Sequence, residues 1–441
     1  MTKLPLLAGL LLAVPLFAFA QSTPSSANDA QLQKRVERVL TRTPLIDGHN
    51  DLPGAISMGF GNVGNIDLAA DTSNLQGKTW GGGVGKISLM TDIPRMRKGQ
   101  IGAQFWSVFI PATITGPEAI KRTIEQIDVV RTMVDKYPKD MEMAYTADDI
   151  VRIHKAGRIA SLIGVEGGHQ IDNSMAALRA YYVLGARYMT LTHARTTDWA
   201  DSATDTPKYG GLNEFGRAVV HEMNRLGMLV DISHVSPDTM RAALEVSQAP
   251  VIFSHSSARA LDDHPRDVPD DVLALVKANH GVVMVNFYPV FISQAVLDWE
   301  AERSGAKARF DTQYPGQPER TNGALAEWTQ AHPAPQATLA QVADHIEHIR
   351  KVAGVESVGI GSDFDGIEST PVGLDAVDKY PALFVELARR GWSDDDLAAL
   401  AGNNLLRAMR QAEAVAKHLQ ATEAPSHATL KTDGQTASTE G

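Results

Sequence analysis

The chain has 441 residues, 44% of them hydrophobic and 21% charged, which is enough for one large domain with a substantial core. Its formal net charge is −11, and without a Lys/Arg cluster this argues against nucleic acid or an anionic membrane as a partner. Cysteine is absent, so the fold has no disulfides and must be stabilised by its core.

Residues 1–20 have the composition of a secretory signal peptide. Lys3 precedes a long apolar run, and Ala18 and Ala20 supply the small-residue pattern of a cleavage site. This predicts an exported protein, periplasmic or secreted, with no stable membrane anchor after cleavage. A retained N-terminal anchor is the alternative. The small, polar residues 21–30 predict a linker.

The rest of the chain divides into a long domain at 31–421 and a tail at 422–441. The tail has almost no large apolar residues, which predicts disorder. Within the domain, short apolar runs alternate with amphipathic stretches of helical period, such as 118–137, 174–185, 237–247 and 339–354. The predicted strands are 45–51, 103–110, 160–167, 187–194, 228–235, 251–257, 281–288 and 357–363.

Continuously apolar strands are typical of a parallel sheet that is buried on both faces. Eight of them separated by helices predict the α/β class and a (β/α)8 TIM-like barrel, more than an open doubly wound sheet. Such barrels place their chemistry at the C-terminal ends of the strands. The long connections 52–100 and 290–337 are expected to lie over the same mouth.

Chemically capable side chains stand at six of the eight strand ends. A lone histidine after an apolar run is more often structural, and an aspartate there is often a helix cap or turn residue. A carboxylate in "GVEGG" is harder to explain, because burying it unpaired is costly. The occurrence of several such side chains together at the C-terminal rim of the predicted barrel favours a functional site. The residues are His49 and Asp51, Glu166, His193, His234, His255 and Asp363.

Imidazole and carboxylate donors from several strands suit a pair of Zn²⁺ ions, two per chain. Such a pair can hold a bridging hydroxide at neutral pH and polarise a carbonyl. A division of ligands follows from chain position. His49 and Asp51 are expected on one metal, His234 and His255 on the other, and Glu166 across both.

Several motifs resemble the membrane (renal) dipeptidase family, the M19-type zinc dipeptidases of the amidohydrolase barrels. They run from Thr43 to Asn404 and include "LIDGHNDLP", "TDIPRMRKGQIGAQFWSVF", "GVEGGH", "EMNRLGMLVDISHVS", "FSHSSARAL" and "GIGSDFDG". Animal cell-surface members carry disulfides and a C-terminal lipid signal, and neither occurs in this chain. The resemblance is weakest over 290–337.

The resemblance implies the barrel fold, two zinc ions on the five residues already assigned, and hydrolysis of free dipeptides. It implies that His193 contacts substrate and stabilises the oxyanion, and that Asp363 carries a proton to the leaving amine. Arg266, in "DDHPRDVPDD", would hold the substrate's C-terminal carboxylate. Without the family it would be interpreted as a surface ion-pair residue. A D-residue at the C-terminal position is also implied to be tolerated.

Two other functions compete with this one. Another binuclear amidohydrolase would act on a cyclic amide, lactone or phosphoester, but those barrels commonly open with His-x-His, whereas this chain has His-x-Asp. A binding or scaffold protein that had lost activity should show gaps in the ligand set, and the sequence shows none. The sequence leaves open the preferred dipeptide and the formation of a homodimer.

Overall fold

The structure is a computed structural model that describes residues 26–78 and 84–430. The predicted signal peptide lies outside these residues. Within them, no helix is both long and apolar enough to span a membrane. The helices are α1 Ser26–Arg42, α2 Leu52–Phe60, α3 Ile93–Lys98, α4 Pro117–Lys136, α5 Ala147–Lys155, α6 Met175–Leu184, α7 Glu214–Leu226, α8 Pro237–Val246, α9 Asp270–Asn279, α10 Gln294–Gln313, α11 Pro318–Ala331, α12 Leu339–Ala353, α13 Tyr380–Arg389, α14 Asp394–Ala398 and α15 Asn404–Thr422.

Eight parallel strands close into a barrel, which confirms the predicted (β/α)8 class. Each pairs with its neighbours in chain order, and pairing of the second barrel strand with the third, from Ala103 opposite Ala160 to Phe109 opposite Glu166, completes the ring. The barrel strands are β1 Leu45–Asn50, β4 Ile101–Phe109, β6 Ile159–Glu166, β7 Ala186–Thr190, β8 Leu229–Asp231, β9 Ile252–Phe253, β10 Val282–Val285 and β11 Val358–Ile360. They are almost wholly buried, as expected for strands covered on both faces by side chains and helices.

Three further strands were not predicted. β2 Leu75–Lys78 and β3 Val84–Ile87 form an antiparallel hairpin in the connection 52–100. β5 Met141–Met143 pairs with the beginning of β6. These strands are short and only partly buried, so they lack the apolar run that marks the barrel strands.

The segment 290–337 differs from the expected loop, because most of it forms the packed helices α10 and α11. Of its described residues, Phe291 is the one that lines the cavity at the barrel mouth. The connection 52–100 contributes more, since Gly54, Ala55 and Met58 of α2 all line that cavity.

Both ends of the domain are more ordered than the sequence predicted. Helix α1 begins at Ser26, inside the proposed linker 21–30. The tail from 423 to 430 is not helical but packs back on the barrel, with Leu430 against the core. The Ser426 amide donates to the buried carboxylate of Glu222 at 3.1 Å, and Arg179 donates to the Ser426 carbonyl at 2.9 Å. These polar contacts fix a segment whose composition alone indicates disorder.

Candidate metal centre and active site

The polar end of β1 directs two donors to the barrel mouth. His49 is fully buried, and its Nε2 lies 3.2 Å from Asp51 Oδ2. Asp51 occupies the N-cap position of α2, yet its side chain makes no capping hydrogen bond. The helix-cap explanation of Asp51 therefore does not hold, because its carboxylate faces the histidine.

Glu166, the last residue of β6, lies at the centre of the cluster. Its Oε1 is 3.0 Å from His234 Nε2 and 3.5 Å from His255 Nε2, and its Oε2 is 3.5 Å from His49 Nε2. Burial opposes ionisation of Glu166, but His49 and His193 overcome it and hold its pKa well below the ordinary value. One ionised carboxylate thus faces both halves of the site, as a bridging ligand must.

His234 and His255 form the opposite half. Their Nε2 atoms are 2.8 Å apart. Burial, reinforced by the positive charge of Arg266, holds the pKa of each imidazole well below its ordinary value. Both are therefore neutral near pH 7, which is the form that binds a metal.

Hydrogen bonds on the far side of the rings select the tautomers of His49 and His255. The Tyr188 hydroxyl donates to the Gly48 carbonyl at 3.2 Å, so at 2.9 Å it accepts from His49 Nδ1. The Ser254 hydroxyl donates to a carboxylate, Asp231 Oδ2, at 2.6 Å and therefore accepts from His255 Nδ1 at 2.8 Å. In its neutral, metal-binding form each ring carries its proton on Nδ1 and turns the Nε2 lone pair toward the site.

These donors fit a metal centre. Three overlapping groups have ligand atoms within 4.8 Å of one another: His49, Glu166 and His255; Glu166, His193 and His234; and His49, Asp51 and Asp363. The buried His49 Nε2 has no hydrogen-bond partner among the atoms that the structure describes. A buried nitrogen of this kind is costly unless a ligand occupies the site. The structure therefore brings together all five residues expected to bind metal, and His193 and Asp363 with them.

The expected substrate contacts lie on the wall of the same cavity, which has a volume of about 290 Å³. His193 lies between the rings of Phe109, with centroids 4.8 Å apart, and His234, at 4.4 Å. Arg266 is only 2% exposed, which excludes a surface ion-pair role. Its Nη1 donates to Ser256 Oγ at 3.2 Å, and the guanidinium lies 5.3 Å from the centroid of the Phe291 ring.

Asp363 lines the same cavity as Arg266. Its Oδ1 lies 3.9 Å from His49 Nε2, and its Oδ2 accepts a hydrogen bond from Asn286 Nδ2 at 2.9 Å. Burial, together with the negative charges of Asp51 and Glu166, raises the pKa of Asp363 to about 8. A carboxyl group with such a pKa can both accept and release a proton near neutral pH.

Of the seven described residues other than glycine that have positive φ, three lie at this site. His234, Asp363 and Asp365 have φ values of 65°, 66° and 65°, which are uncommon for residues other than glycine. Hydrogen bonds offset the cost. Two donors converge on the His234 carbonyl, the Ala203 amide at 2.7 Å and the Thr192 hydroxyl at 3.1 Å, and the Asp363 amide donates to the His49 carbonyl at 3.1 Å.

Sequence reasoning missed the contributions of the two remaining barrel strands. In β4, Ser107 donates to Glu166 Oε2 at 3.1 Å, and after β10, Asn286 donates to Asp363. Tyr188 in β7 was missed as well. Serine, asparagine and tyrosine inside apolar runs were the available signal, since buried polar groups need partners. His169, three residues after Glu166, is interpreted as a structural residue, and burial lowers its pKa to about 4.

The barrel and its donor set define a metal-dependent hydrolase. The chain belongs to the membrane dipeptidase family, peptidase family M19, whose model matches residues 33–423. It is 40% identical over 396 residues to dipeptidase aclJ of Aspergillus oryzae, covering 88% of this chain and 82% of that one. The protein is accordingly a metallo-dipeptidase, and the family expected from the sequence motifs is confirmed.

Solved structures show the same fold. The probable dipeptidase PvdM from Pseudomonas aeruginosa superposes with a TM-score of 0.72 at 24% identity, over 88% of this chain and 99% of that one. A metallo peptidase from Rhodobacter sphaeroides liganded with a phosphinate mimic of the dipeptide L-Ala-D-Ala gives a TM-score of 0.66 at 22% identity, over 84% and 99%.

Proposed function

We propose that this metallo-dipeptidase uses two zinc ions to hydrolyse free dipeptides and accepts a D-residue at their C-terminal position. The observation that carries the proposal is the convergence of three imidazoles, two of them fully buried, on the two oxygens of Glu166, with the unpartnered His49 Nε2 among them. His49 and Asp51 would hold one ion, His234 and His255 the other, and Glu166 both. Bound zinc would supply a hydroxide nucleophile at neutral pH and would polarise the scissile carbonyl.

The residues of the chain itself position the substrate between two charged ends. The Arg266 guanidinium binds the C-terminal carboxylate through paired, charge-assisted hydrogen bonds, which fixes the distance from that carboxylate to the scissile bond. His193 donates from Nε2 to the developing oxyanion. Asp363 takes a proton from the attacking water and delivers it to the amine nitrogen as the C–N bond breaks.

Tolerance of a D-residue is supported by a structural relative. The Rhodobacter sphaeroides peptidase was crystallised with a mimic of L-Ala-D-Ala, a dipeptide whose C-terminal residue has the D configuration. In this chain, Arg266 anchors the carboxylate while the apolar side chains of Phe291 and Phe109 line the cavity. We infer that the carboxylate, more than the chirality of the adjacent carbon, determines binding.

We also propose that the protein is exported. Residues 1–20 carry the signal-peptide pattern, and the absence of cysteine makes the fold independent of the redox state of its compartment. Mass spectrometry of protein recovered from the periplasm or medium should give a mature chain that begins at Gln21. An intact N-terminus in the membrane fraction would instead support the retained anchor.

Hydrolysis of a matched substrate set tests the proposed activity. The set is L-Ala-L-Ala, L-Ala-D-Ala, N-acetyl-L-Ala-L-Ala and L-Ala-L-Ala-L-Ala, each assayed as purified, with chelator, and after zinc is restored. We expect cleavage of the two free dipeptides alone, lost with chelator and recovered with zinc. Equal cleavage of the acetylated compound or the tripeptide would contradict the two-ended site.

A protein that binds two metals but cleaves none of the four compounds would overturn the proposal. Assays on a cyclic amide, a lactone and a phosphoester would then be the next step, because these are substrates of related binuclear barrels. If the L,D dipeptide is the only free dipeptide that is not cleaved, the proposed tolerance of a D-residue is wrong, but the dipeptidase activity stands.

A further inference from the structure

Asn286, the first residue after β10, makes two hydrogen bonds that fix the orientation of its amide. The Tyr288 backbone N–H donates to Asn286 Oδ1 at 2.5 Å, so this atom must be the oxygen. The amide nitrogen Nδ2 therefore points toward Asp363 and donates to Oδ2 at 2.9 Å. Asn286 is fully buried, so water does not compete for either bond.

The two oxygens of Asp363 consequently have different surroundings. Oδ2 is held by Asn286, whereas Oδ1 faces the donor cluster at 3.9 Å from His49 Nε2. Oδ1 also lies beside the Asp51 carboxylate at Gly366, where an added Cβ would be 2.8 Å from Asp363 Oδ1 and 2.1 Å from Asp51 Oδ2. The backbone glycine leaves this side of the carboxylate open to the cavity.

We propose that Asn286 is a positioning residue that anchors Oδ2 of Asp363 and leaves Oδ1 as the oxygen that moves the proton. This inference rests on the proposed dipeptidase mechanism. Oδ1 accepts a proton from the attacking water while the water oxygen bonds to the scissile carbon. The same proton passes to the amine nitrogen as the C–N bond breaks, and the carboxylate of Asp363 is regenerated.

Asn286→Asp separates the positioning role from a structural one. The aspartate is isosteric and keeps an oxygen to accept from the Tyr288 N–H, so the chain from Tyr288 to Phe291 keeps its anchor. Its second oxygen replaces the donor and faces Asp363 Oδ2, and two such carboxylates share a proton. We expect kcat to fall about 100-fold, the scale of lost general acid–base catalysis, with KM changed by less than about threefold.

Asn404→Asp is the matched control. Asn404 is also a buried asparagine, but its Nδ2 donates to the Val355 and Val358 carbonyls at the opposite, N-terminal end of β11. It should lose thermal stability without a change in kcat or KM. A structural role for Asn286 alone predicts a different result, namely kcat and KM both near wild type, because the aspartate keeps the acceptor for the Tyr288 N–H.

The double variant Asn286→Asp/Asp363→Asn supplies a readout that does not depend on activity. It reverses donor and acceptor, so we expect its Tm to recover toward wild type relative to Asn286→Asp, while kcat stays as low as in Asp363→Asn alone. No recovery of Tm, or an unchanged kcat in Asn286→Asp, would overturn the inference. If wild type fails to cleave dipeptides, the proposed function fails, and the Tm comparison still tests the hydrogen bond.

Discussion

At the scale of single residues, burial and the direction in which a side chain points distinguish site residues from structural ones. Asp51 stands at a helix N-cap without capping it, and Arg266 is a buried cation whose Nε has no partner within the described chain. Both are costly arrangements in the absence of a ligand. The sequence offered an ordinary explanation for each, and the geometry removes it.

Ser107→Ala should weaken the metal centre through Glu166. Its hydroxyl donates to Glu166 Oε2 at 3.1 Å, and loss of such a partner typically lowers metal affinity or activity about 10–100-fold. Zinc affinity, measured by competition with a chromogenic chelator, checks this. Ser161→Ala is the control, because this buried hydroxyl on β6 has no hydrogen-bond partner in the described residues. Equal zinc affinity of the two variants would contradict the role of Ser107.

Arg266→Lys should remove the preference for a free C-terminal carboxylate. A lysine keeps the charge but loses the planar pair of donors, and a charge-assisted hydrogen bond of about 1.5–3 kcal/mol corresponds to a roughly 10–100-fold rise in KM. Dipeptide amides, which lack the carboxylate, should be cleaved equally slowly by both proteins. A KM that rises as much for the amide as for the free acid would show that Arg266 has another role.

At the scale of elements, the sequence predicted the eight barrel strands because their apolar runs are continuous. It overestimated the lengths of six of them, as in β9, where the ladder covers only Ile252–Phe253 of the predicted 251–257. Beyond Phe253 the backbone bonds to side chains, with the Ser254 amide donating to Asp231 and the Ser257 amide to Asp267. Partners of this kind are far apart in sequence, so local pattern cannot reveal them.

The clustering of the proposed ligands was predictable for a similar reason. Period and position place His49, Glu166 and His255 at strand ends, and strand ends of a barrel meet. Asn286 and Ser107 act only through another side chain, and their types are ordinary in a strand. Helices α10 and α11 and the ordered residues 423–430 depend on tertiary contacts that composition does not encode.

The free energy of unfolding should depend on pH through His345, which lies in helix α12. His345 Nδ1 accepts from the Ala258 amide at 3.0 Å, and its Nε2 donates to the Ile292 carbonyl at 3.1 Å, so the buried ring is neutral. Burial lowers its pKa from 6.5 to about 4. The folded state thus disfavours protonation, and stability that is complete above pH 6.5 is lost as the pH falls toward 4, by about 3 kcal/mol.

His345→Asn is the test of this pH dependence. Its amide oxygen can still accept from Ala258, but the side chain does not titrate. Urea unfolding of metal-free protein should show a variant that is less stable at pH 7 and whose free energy of unfolding falls less than that of wild type between pH 6.5 and pH 4. Parallel pH profiles for the two proteins would refute the assignment.

For the whole molecule, the metal centre joins strands that are distant along the chain. The proposed donors come from the ends of β1, β6, β8 and β9, so metal ions bound there would cross-link four strands of one barrel. The polar partners behind them, such as Tyr188 and Ser254, belong to the barrel wall. Metal binding at this site would therefore contribute to the stability of the fold as well as to its chemistry.

Zinc should accordingly raise the Tm of the metal-free protein, and two ions per chain should saturate the effect. A ligand that binds only the folded state at 100 times its Kd adds about 2.7 kcal/mol, which is several degrees for a large domain. Glu166→Gln retains the size of the bridge but not its charge, so its zinc-dependent shift in Tm should be smaller and its stoichiometry below two. Calorimetry combined with metal analysis checks both quantities. Saturation at one equivalent in the wild type would rule out a paired centre, whereas an unchanged shift in Glu166→Gln would place the bridge elsewhere.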